Sequence, residues 1–490
     1  MNQMDKIQQN RQVNWSMLFL LIILLANSVS AQLISLKTIP VATGDQFLIF
    51  PSQNMSMGGV GIALDDPLSD HWVNPAKGSA LRGIQVSSSP VYYRIGNGYG
   101  SARSMPFAVV GSRGAWYGGG SFTLQAMNTA NNQQGWWTPE IRTLNENIAE
   151  NKYLVGFLGR NLGNTSLGLS AYWASLSALD GVDLLYANSE SIHQEGDLKD
   201  IRVGLTREFN SGGELEVLYL WNELDMKHEV MYMEWGPEDW VERMEINLDH
   251  TITQGLHIAQ KSAVDEFGWS YGALFTVNQK THPKIPNYEI MNIPRDPGNT
   301  LGFNLGGGIS KTNGNSTFGI DVIYEPIKSN TWAEADTFLI SEDDELTRPG
   351  DKTVENFFDF SNWILRTGLG WQKDNRNFQL GMQMRTIHYW LDQTDFVAVT
   401  ERSQEEYWVE WTTTWGFSMD FEEFTIHYNG KTTMGTGRPG VDTQWWGWRG
   451  GMLDNASIGG DFIIAPSDDL TLQEARVMTH QISISLPIRR

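Results

Sequence analysis

The chain contains no cysteine among its 490 residues. That absence excludes disulfides, thiolate nucleophiles, zinc-thiolate sites and a lipid anchor on a terminal cysteine. Basic residues are scarce as well: 35 Lys and Arg stand against 57 Asp and Glu, a formal net charge of −22. Nucleic acid, whose phosphates are met by Lys and Arg, is thereby excluded as a partner, and the excess of acid fits a solvated outer surface. Beyond residue 31 no apolar run approaches the roughly 20 residues that a membrane-spanning helix needs. With a mean hydropathy of −0.32, a helical inner-membrane protein is ruled out.

The one apolar run stands at the N-terminus. Lys6 and Arg11 precede Met17 to Ala26, and Asn27-Ser28-Val29-Ser30-Ala31 follows. A basic start, an apolar core of about ten residues and small residues at Val29 and Ala31 form the pattern of a secretory signal peptide. Residues 1–31 are therefore expected to be removed by cleavage after Ala31, leaving Gln32 first in an exported protein.

What the chain does have is 20 Trp, 15 Tyr, 21 Phe and 49 Gly. Such a composition suits aromatic girdles, pleated walls and tight turns, and equally a secreted glycan-binding protein. Periodicity separates the two, because a barrel wall alternates lipid-facing apolar residues with lumen-facing polar ones. Between 409 and 419, Val409, Trp411, Thr413, Trp415, Phe417 and Met419 share one face while Glu410, Thr412, Thr414, Gly416 and Ser418 share the other. The same alternation sets Trp363, Leu365, Leu369 and Trp371 against Asn362, Arg366, Gly368 and Gly370, and Phe378, Leu380, Met382 and Met384 against Gln379, Gly381, Gln383 and Arg385. It recurs at Phe318 to Tyr324, Ile201 to Thr206 and Ser166 to Trp173. A soluble β-sandwich alternates too, so connection lengths matter.

Short links are expected at 161–164, 210–213, 264–267, 311–315, 373–375 and 420–421. Long polar or aromatic stretches lie between them, at about 126–150, 176–199, 224–243, 281–299, 326–360, 390–406 and 431–457. This is the short-turn, long-loop alternation of bacterial outer-membrane barrels. For the parity to hold, one strand must run through Met244 to Ile258. The expected fold is all-β, a transmembrane antiparallel β-barrel of about 14 strands and up to 16, spanning residues 83–490, with the count open at Ile84 to Ser112 and at Gly459 to Ile464.

Ahead of the first strand, residues 32–82 read differently. They contain Met57-Gly58-Gly59-Val60-Gly61-Ile62-Ala63-Leu64, then Asp65-Asp66, then Asn74-Pro75-Ala76. Gly58, Gly59 and Gly61 permit positive φ and close backbone approach, and Asn74-Pro75 is a turn signal whose Asn bonds its own backbone. A compact plug and an ordinary turn into strand one both fit. The pattern of Met57, Gly58, Gly59, Gly61, Asp65, Asp66, Asn74, Pro75 and Ala76 resembles the FadL-type superfamily of outer-membrane proteins. This superfamily includes long-chain fatty acid and aromatic hydrocarbon transporters and the PorV-like barrels of type IX secretion. The resemblance implies an N-terminal hatch plugging a fourteen-stranded barrel. Lys77 departs from the glycine usual after N-P-A, and His71-Trp72-Val73 stands where an aromatic or aliphatic pair is common.

The resemblance implies uptake of hydrophobic small molecules, with docking of secreted proteins as the alternative. A rim hydrolase would need Ser, His and Asp convergent at one point, and no spacing provides that, so no enzyme is expected. No metal or cofactor motif is present either: the nine His residues never fall in an H-E-x-x-H spacing, and Gly430-Lys431-Thr432-Thr433 lacks the first glycine of a phosphate loop. Inward-pointing Arg202, Arg366 and Arg385 are candidates to meet a ligand carboxylate, with Glu216, Asp249, Asp321, Glu325 and Glu410 as internal ion-pair alternatives. His282, Pro283, Pro286, Pro294 and Pro297 belong to a proline-rich external loop expected to be stiff enough to cap the barrel mouth. Trp136-Trp137, Trp235, Trp240, Trp445-Trp446 and Trp448 cluster in external stretches, where they fit either ligand capture or loop packing. The expected surroundings are outer-membrane lipid and lipopolysaccharide.

Overall fold

The computed structural model describes residues 45–95, 100–128, 148–179, 191–235, 240–281, 298–335, 338–439 and 472–488. The expected signal peptide, residues 32–44 of the expected plug segment, the loop residues His282, Pro283, Pro286, Pro294 and Pro297, the tryptophans Trp136, Trp137, Trp445, Trp446 and Trp448, and the strand expected at Gly459 to Ile464 lie outside the described residues.

Sixteen strands pair antiparallel, each with the next, and the last with the first. The first strand, β1, comes in two pieces, Ile84–Ser88 and Val91–Ile95, and both pieces lie between the same neighbours. Pro90 separates them because it has no N–H to give the ladder; its carbonyl still accepts from Ile482 N at 3.0 Å. The others are β2 (Ser101–Arg113), β3 (Trp116–Asn128), β4 (Ile148–Asn161), β5 (Thr165–Leu176), β6 (Ser191–Glu208), β7 (Glu214–Trp235) and β8 (Trp240–Lys261). They continue as β9 (Trp269–Thr281), β10 (Gly298–Asn313), β11 (Ser316–Glu334), β12 (Lys352–Lys373), β13 (Arg376–Asp395), β14 (Thr400–Asp420), β15 (Thr425–Pro439) and β16 (Leu472–Ile488). Closure of β16 onto β1 leaves no sheet edge, which is what a β-structure in lipid requires.

The count is thus the upper end of the expected range. Two strands occupy the region from Ile84 to Ser112, and the required strand from Met244 to Ile258 is present inside β8. The expected loop at 224–243 is corrected: β7 and β8 continue through most of it as a paired ladder from Leu224↔Thr251 to Trp235↔Trp240. The expected loops at 176–199, 326–360 and 390–406 are likewise shortened by strands that reach into them. At the opposite end the links stay tight. Gly114 and Asp374 take the positive φ (61° and 54°) that two-residue hairpin turns demand.

The alternation is borne out in burial. On β14, Trp411 and Phe417 are exposed while Thr412, Thr414 and Ser418 are buried; on β5, Leu167, Leu169 and Trp173 are exposed while Ser166 and Ser170 are buried. An apolar exterior band of this kind belongs in a bilayer. The interior is less uniform than the wall pattern implies. From β11 to β16 it is mainly polar, with Asp321, Glu325, Asn362, Gln379, Thr414, Asn429 and Gln481 all buried, around an aromatic group of Phe358, Phe360 and Tyr389. From β2 to β7 it is largely apolar: Val110, Tyr153, Val155, Phe157, Leu198, Leu224 and Met226 form one cluster with Ile49 and Trp72 from the segment preceding β1.

Candidate functional site in the barrel lumen

Residues 45–81 fold as a chain of short helical turns, Asp45–Phe47, Asn54–Met57, Asp70–Val73 and Pro75–Ala80. Two of the motif positions organise it. The Asp66 carboxylate accepts from Ser52 Oγ (2.6 Å) and from the main-chain N–H groups of Gln53 (2.9 Å), Asn54 (3.0 Å), Leu68 (3.1 Å) and Ser69 (3.2 Å). It therefore closes a loop of the segment upon itself. Asn74 accepts from Ala76 N at 3.0 Å with Pro75 opening the next turn, the self-bonding turn expected from Asn-Pro. Gly58 and Gly59, at φ 73° and 75°, end the turn at Met57 in a conformation that β-branched residues resist.

The segment then follows the inner wall in the reverse of strand order. The Phe50 carbonyl accepts from Gln481 on β16 (2.8 Å) and the Ser52 carbonyl from Asn429 on β15 (2.7 Å). Thr414 on β14 both accepts from Gly58 N (2.9 Å) and donates to the Ser56 carbonyl (3.0 Å), while Ser56 Oγ reaches Gln379 on β13. Arg366 on β12 donates to the Gly59 carbonyl (3.3 Å), and Asp321 on β11 accepts from Gly61 N (2.8 Å). Ser310 on β10 donates to the Ala63 carbonyl (3.0 Å), and Asp65 pairs with Lys261 on β8. Asn74 donates to Glu216 on β7 (2.9 Å), Arg202 on β6 donates to the Val73 carbonyl (3.1 Å), and Tyr117 on β3 donates to the Ala76 carbonyl (3.1 Å). Every wall group in this series sits on the inward-facing register.

Close approach is allowed by glycines of the wall. Gly168 pairs with Gly204, Gly319 with Gly368, Gly368 with Gly381, and Gly272 with Gly308, so rows of inward glycines cross adjacent strands. A Cβ at Gly204 would meet the Asn74 side chain, at Gly168 the Pro75 main chain, at Gly381 and Gly368 the Met57 main chain, and at Gly272 the Ile62 carbonyl. Reading the sequence placed several of these glycines on the inner face without recognising them as seats for the segment. The available signal was their recurrence three to five residues from the short turns.

The three inward arginines are placed differently. Arg202 is held by both oxygens of Asp200 (2.7 and 3.2 Å), and Arg385 pairs with Glu325 at 2.7 Å. Arg366 donates to Gln383 (2.9 Å) and to the Gly59 carbonyl, and has no carboxylate within ion-pair distance among the described residues. Of the acidic candidates, Glu216 bonds Asn74 and pairs with Lys77 at 2.8 Å, and Asp321 serves Gly61 and Ile62 (3.3 Å). His257 faces the lumen and bonds Thr276 at 2.7 Å, whereas His388 faces out and pairs with Glu405 at 2.7 Å. Outside the lumen, Glu223, Asp225 and His250 bring three ligand-type atoms within 4.8 Å of one another, with Lys199 Nζ 3.8 Å from Glu223.

Electrostatics concentrate where the segment meets β7. Burial lifts Asp70 to about 7 against the pull of Lys77, 3.5 Å away. Burial presses the His71 imidazole down to about 4. Burial also works against the Lys77 ammonium, but Glu216 and Asp70 outweigh it and hold its proton more tightly than usual.

No protein-family profile matches the chain, and no curated protein matches it. Among solved structures it is similar to a Pseudomonas aeruginosa FadL homologue, at 12% identity over 90% of this chain and 99% of that one, with a TM-score of 0.42. It is similar to the Pseudomonas putida toluene transporter TodX at 12% identity over 89% and 97%, with a TM-score of 0.37. A third similarity, to CdiB from Acinetobacter baumannii, runs at 8% identity over 82% of this chain but spans only 60% of that one, with a TM-score of 0.38.

Proposed function

We propose that this protein is an outer-membrane channel for hydrophobic small molecules, such as long-chain fatty acids or aromatic compounds, exported by cleavage after Ala31 and plugged by residues 32–82. The observation that carries the reading is the circuit of the inner wall made by residues 50–76, from Gln481 on β16 round to Tyr117 on β3. A sixteen-stranded barrel is wide enough to leave an aqueous channel unless something fills it. Filling it with a segment tied by hydrogen bonds, rather than by a second packed domain, leaves a plug that shifts without unfolding the wall. The apolar lining from β2 to β7 supplies a path for a ligand that water does not solvate well.

In this reading Met57, Gly58, Gly59, Gly61, Asp65, Asp66, Asn74, Pro75 and Ala76 are hatch residues. Arg366, which no carboxylate meets within ion-pair distance among the described residues, is the arginine left to meet an anionic headgroup, whereas Arg202 and Arg385 are held by Asp200 and Glu325; His282, Pro283, Pro286, Pro294 and Pro297 form an external gate. The test is reconstitution of the full chain and of a variant lacking Asp45–Ala80 into liposomes. The variant should remain a barrel whose gel mobility changes on boiling, and should leak small polar solutes that the full chain retains. Equal permeability of the two would overturn the hatch. Normal uptake in cells lacking the gene, with secreted proteins accumulating in the periplasm, would replace the channel with a docking barrel.

A further inference from the structure

The apolar half of the lumen carries hydroxyls that no described group satisfies. Tyr172 on β5 is 7% exposed, and Ser121 and Thr123 on β3 are 4% and 1% exposed. None of the three hydroxyls has a hydrogen-bond partner among the described residues. The sheet register sets them together: Ser121, Val155 and Tyr172 stand opposite one another across β3, β4 and β5, and Thr123 stands opposite Tyr153 in the next inward row. The Tyr153 ring lies 6.2 Å from the Tyr172 ring, and Val155, Phe157 and Trp72 belong to the same cluster. A polar atom taken from water and left unpaired carries its full desolvation penalty, and native interiors rarely keep several side by side without a function.

The neighbouring strand narrows the chemistry. Tyr172 is opposite Asp200 in the ladder, and Asp200 is only 2% exposed. Arg202 grips both oxygens of Asp200 and spends its remaining arm on the Val73 carbonyl. The pair is neutral as a unit, so no cation is left for a carboxylate, and Asp200 itself repels one. A hydrocarbon fits the apolar walls and leaves the hydroxyls unsatisfied. We infer that this wall is a binding site for a neutral apolar molecule bearing one hydrogen-bonding oxygen, an alcohol, phenol or ketone, with the Tyr172 hydroxyl as its polar contact and Ser121 and Thr123 beside it. The inference rests on the hydrophobic-channel reading and names the substrate class which that reading leaves open.

Toluene, p-cresol and benzoate share a ring and differ in the polar group, so they serve as probes. Binding to the purified full-length protein in nanodiscs, against empty nanodiscs, should favour p-cresol over toluene by about fivefold to tenfold, the worth of one hydrogen bond. Tyr172→Phe should bring p-cresol to the affinity of toluene and leave toluene unchanged. If that variant fails to show heat-dependent gel mobility, Thr123→Val carries the same comparison and should narrow the preference. Equal binding of p-cresol and toluene to the wild type, or a preference untouched by both substitutions, would overturn the hydroxyl site. Benzoate binding more tightly than p-cresol, and losing that binding in Tyr172→Phe, would overturn the neutral class. Binding of none of the three would overturn the hydrophobic channel itself, and the inference with it.

Discussion

Gly61 donates its main-chain N–H to the Asp321 carboxylate across 2.8 Å, and Ile62 donates to the same oxygen at 3.3 Å. Asp321 is fully buried at mid-wall on β11, so this one oxygen joins the glycine-rich motif to a strand about 260 residues further along the chain. Replacing Asp321 with Ala strands the buried Ile62 N–H, at a cost of about 1–3 kcal/mol, and frees the more exposed Gly61 N–H beside it. That cost falls on docking of the segment, since the β11 ladders to β10 and β12 are main-chain bonds. Limited proteolysis within 45–81 should quicken by at least tenfold in Asp321→Ala while the barrel keeps its heat-dependent mobility. Unchanged cleavage would remove the anchor role.

Seating of the segment on wall glycines gives a second test. A Cβ at Gly204 would collide with the Asn74 side chain, and one at Gly381 with the main chain at Met57 and Gly58. Gly204→Ala and Gly381→Ala should therefore displace the segment locally and raise conductance through the reconstituted barrel. Gly307, where a Cβ meets nothing, should tolerate Ala without change. The same conductance in all three variants would show that the rows of glycine do not seat the segment.

Inside and outside are separable on β14. Trp415, half-buried, shares the outward face with the exposed Trp411 and Phe417, and Thr414 is buried facing in. Trp415→Arg near the bilayer midplane should cost roughly 2–4 kcal/mol of barrel stability. Sequence periodicity alone makes Thr414→Arg nearly harmless. The structure places Thr414 in hydrogen bonds with Gly58 N and the Ser56 carbonyl, so that substitution should spare the barrel and still release the segment. Denaturant unfolding in micelles reads the first effect and proteolysis of 45–81 reads the second.

These cases mark what is legible in one sequence. The wall at 409–419 was readable because lipid outside and polar groups inside impose period two with opposite polarity. The upper part of β7 was not. There Leu224, Met226 and Val230 face in and are buried, while Glu223, Asp225 and Glu229 alternate with them on the other face. The polarity is inverted because this part of the exterior is charged and the interior packs on an apolar cluster, so the stretch read as a polar loop. The segment's own turns were legible in Gly58-Gly59 and Asn74-Pro75, whose conformations are local. Its partners were not: Gly204, Gly381 and Asp321 are recognised only once distant strands are placed in register.

Acid should loosen the segment through His71. The docked imidazole titrates near 4 because it is buried, whereas a displaced one takes its proton at the ordinary value near 6.5. The displaced state therefore gains protons first as pH falls, and the His71 contribution to docking is lost between about 6.5 and 4. Asp70 acts in the opposite sense: held near 7 by burial, it gains its proton while docked, so its contribution grows as pH falls from 7 toward 4. The two act against each other in the native chain. Asp70→Asn should expose the His71 slope, with channel conductance rising as pH drops from 7 to 4.5, and the His71→Gln, Asp70→Asn double variant should flatten it. A rise that persists in the double variant would assign the acid response elsewhere.

The pair between Lys77 and Glu216 yields the last prediction, because both side chains are largely buried, at 19% and 11% exposure, and lie 2.8 Å apart. Glu216 also accepts from Asn74, and Asp70 flanks Lys77 at 3.5 Å. Removing one partner leaves the other charge in a poorly solvated site, which costs about 3–5 kcal/mol when a buried pair is broken. Lys77→Met should leave Glu216 with Asn74 as a hydrogen-bond donor but no cation within ion-pair distance among the described residues, and should release the stretch from Asp70 to Ala80 from β7. Glu216→Gln should do so less, since an amide still accepts from Asn74. The double variant Lys77→Met, Glu216→Gln removes both charges and should dock more firmly than Lys77→Met alone, because no uncompensated charge remains. Protease resistance of residues 70–80 in the four proteins gives the coupling directly. A double variant no firmer than Lys77→Met would mean that the ion pair does not hold the segment to β7, and that the wall glycines and Asp321 suffice.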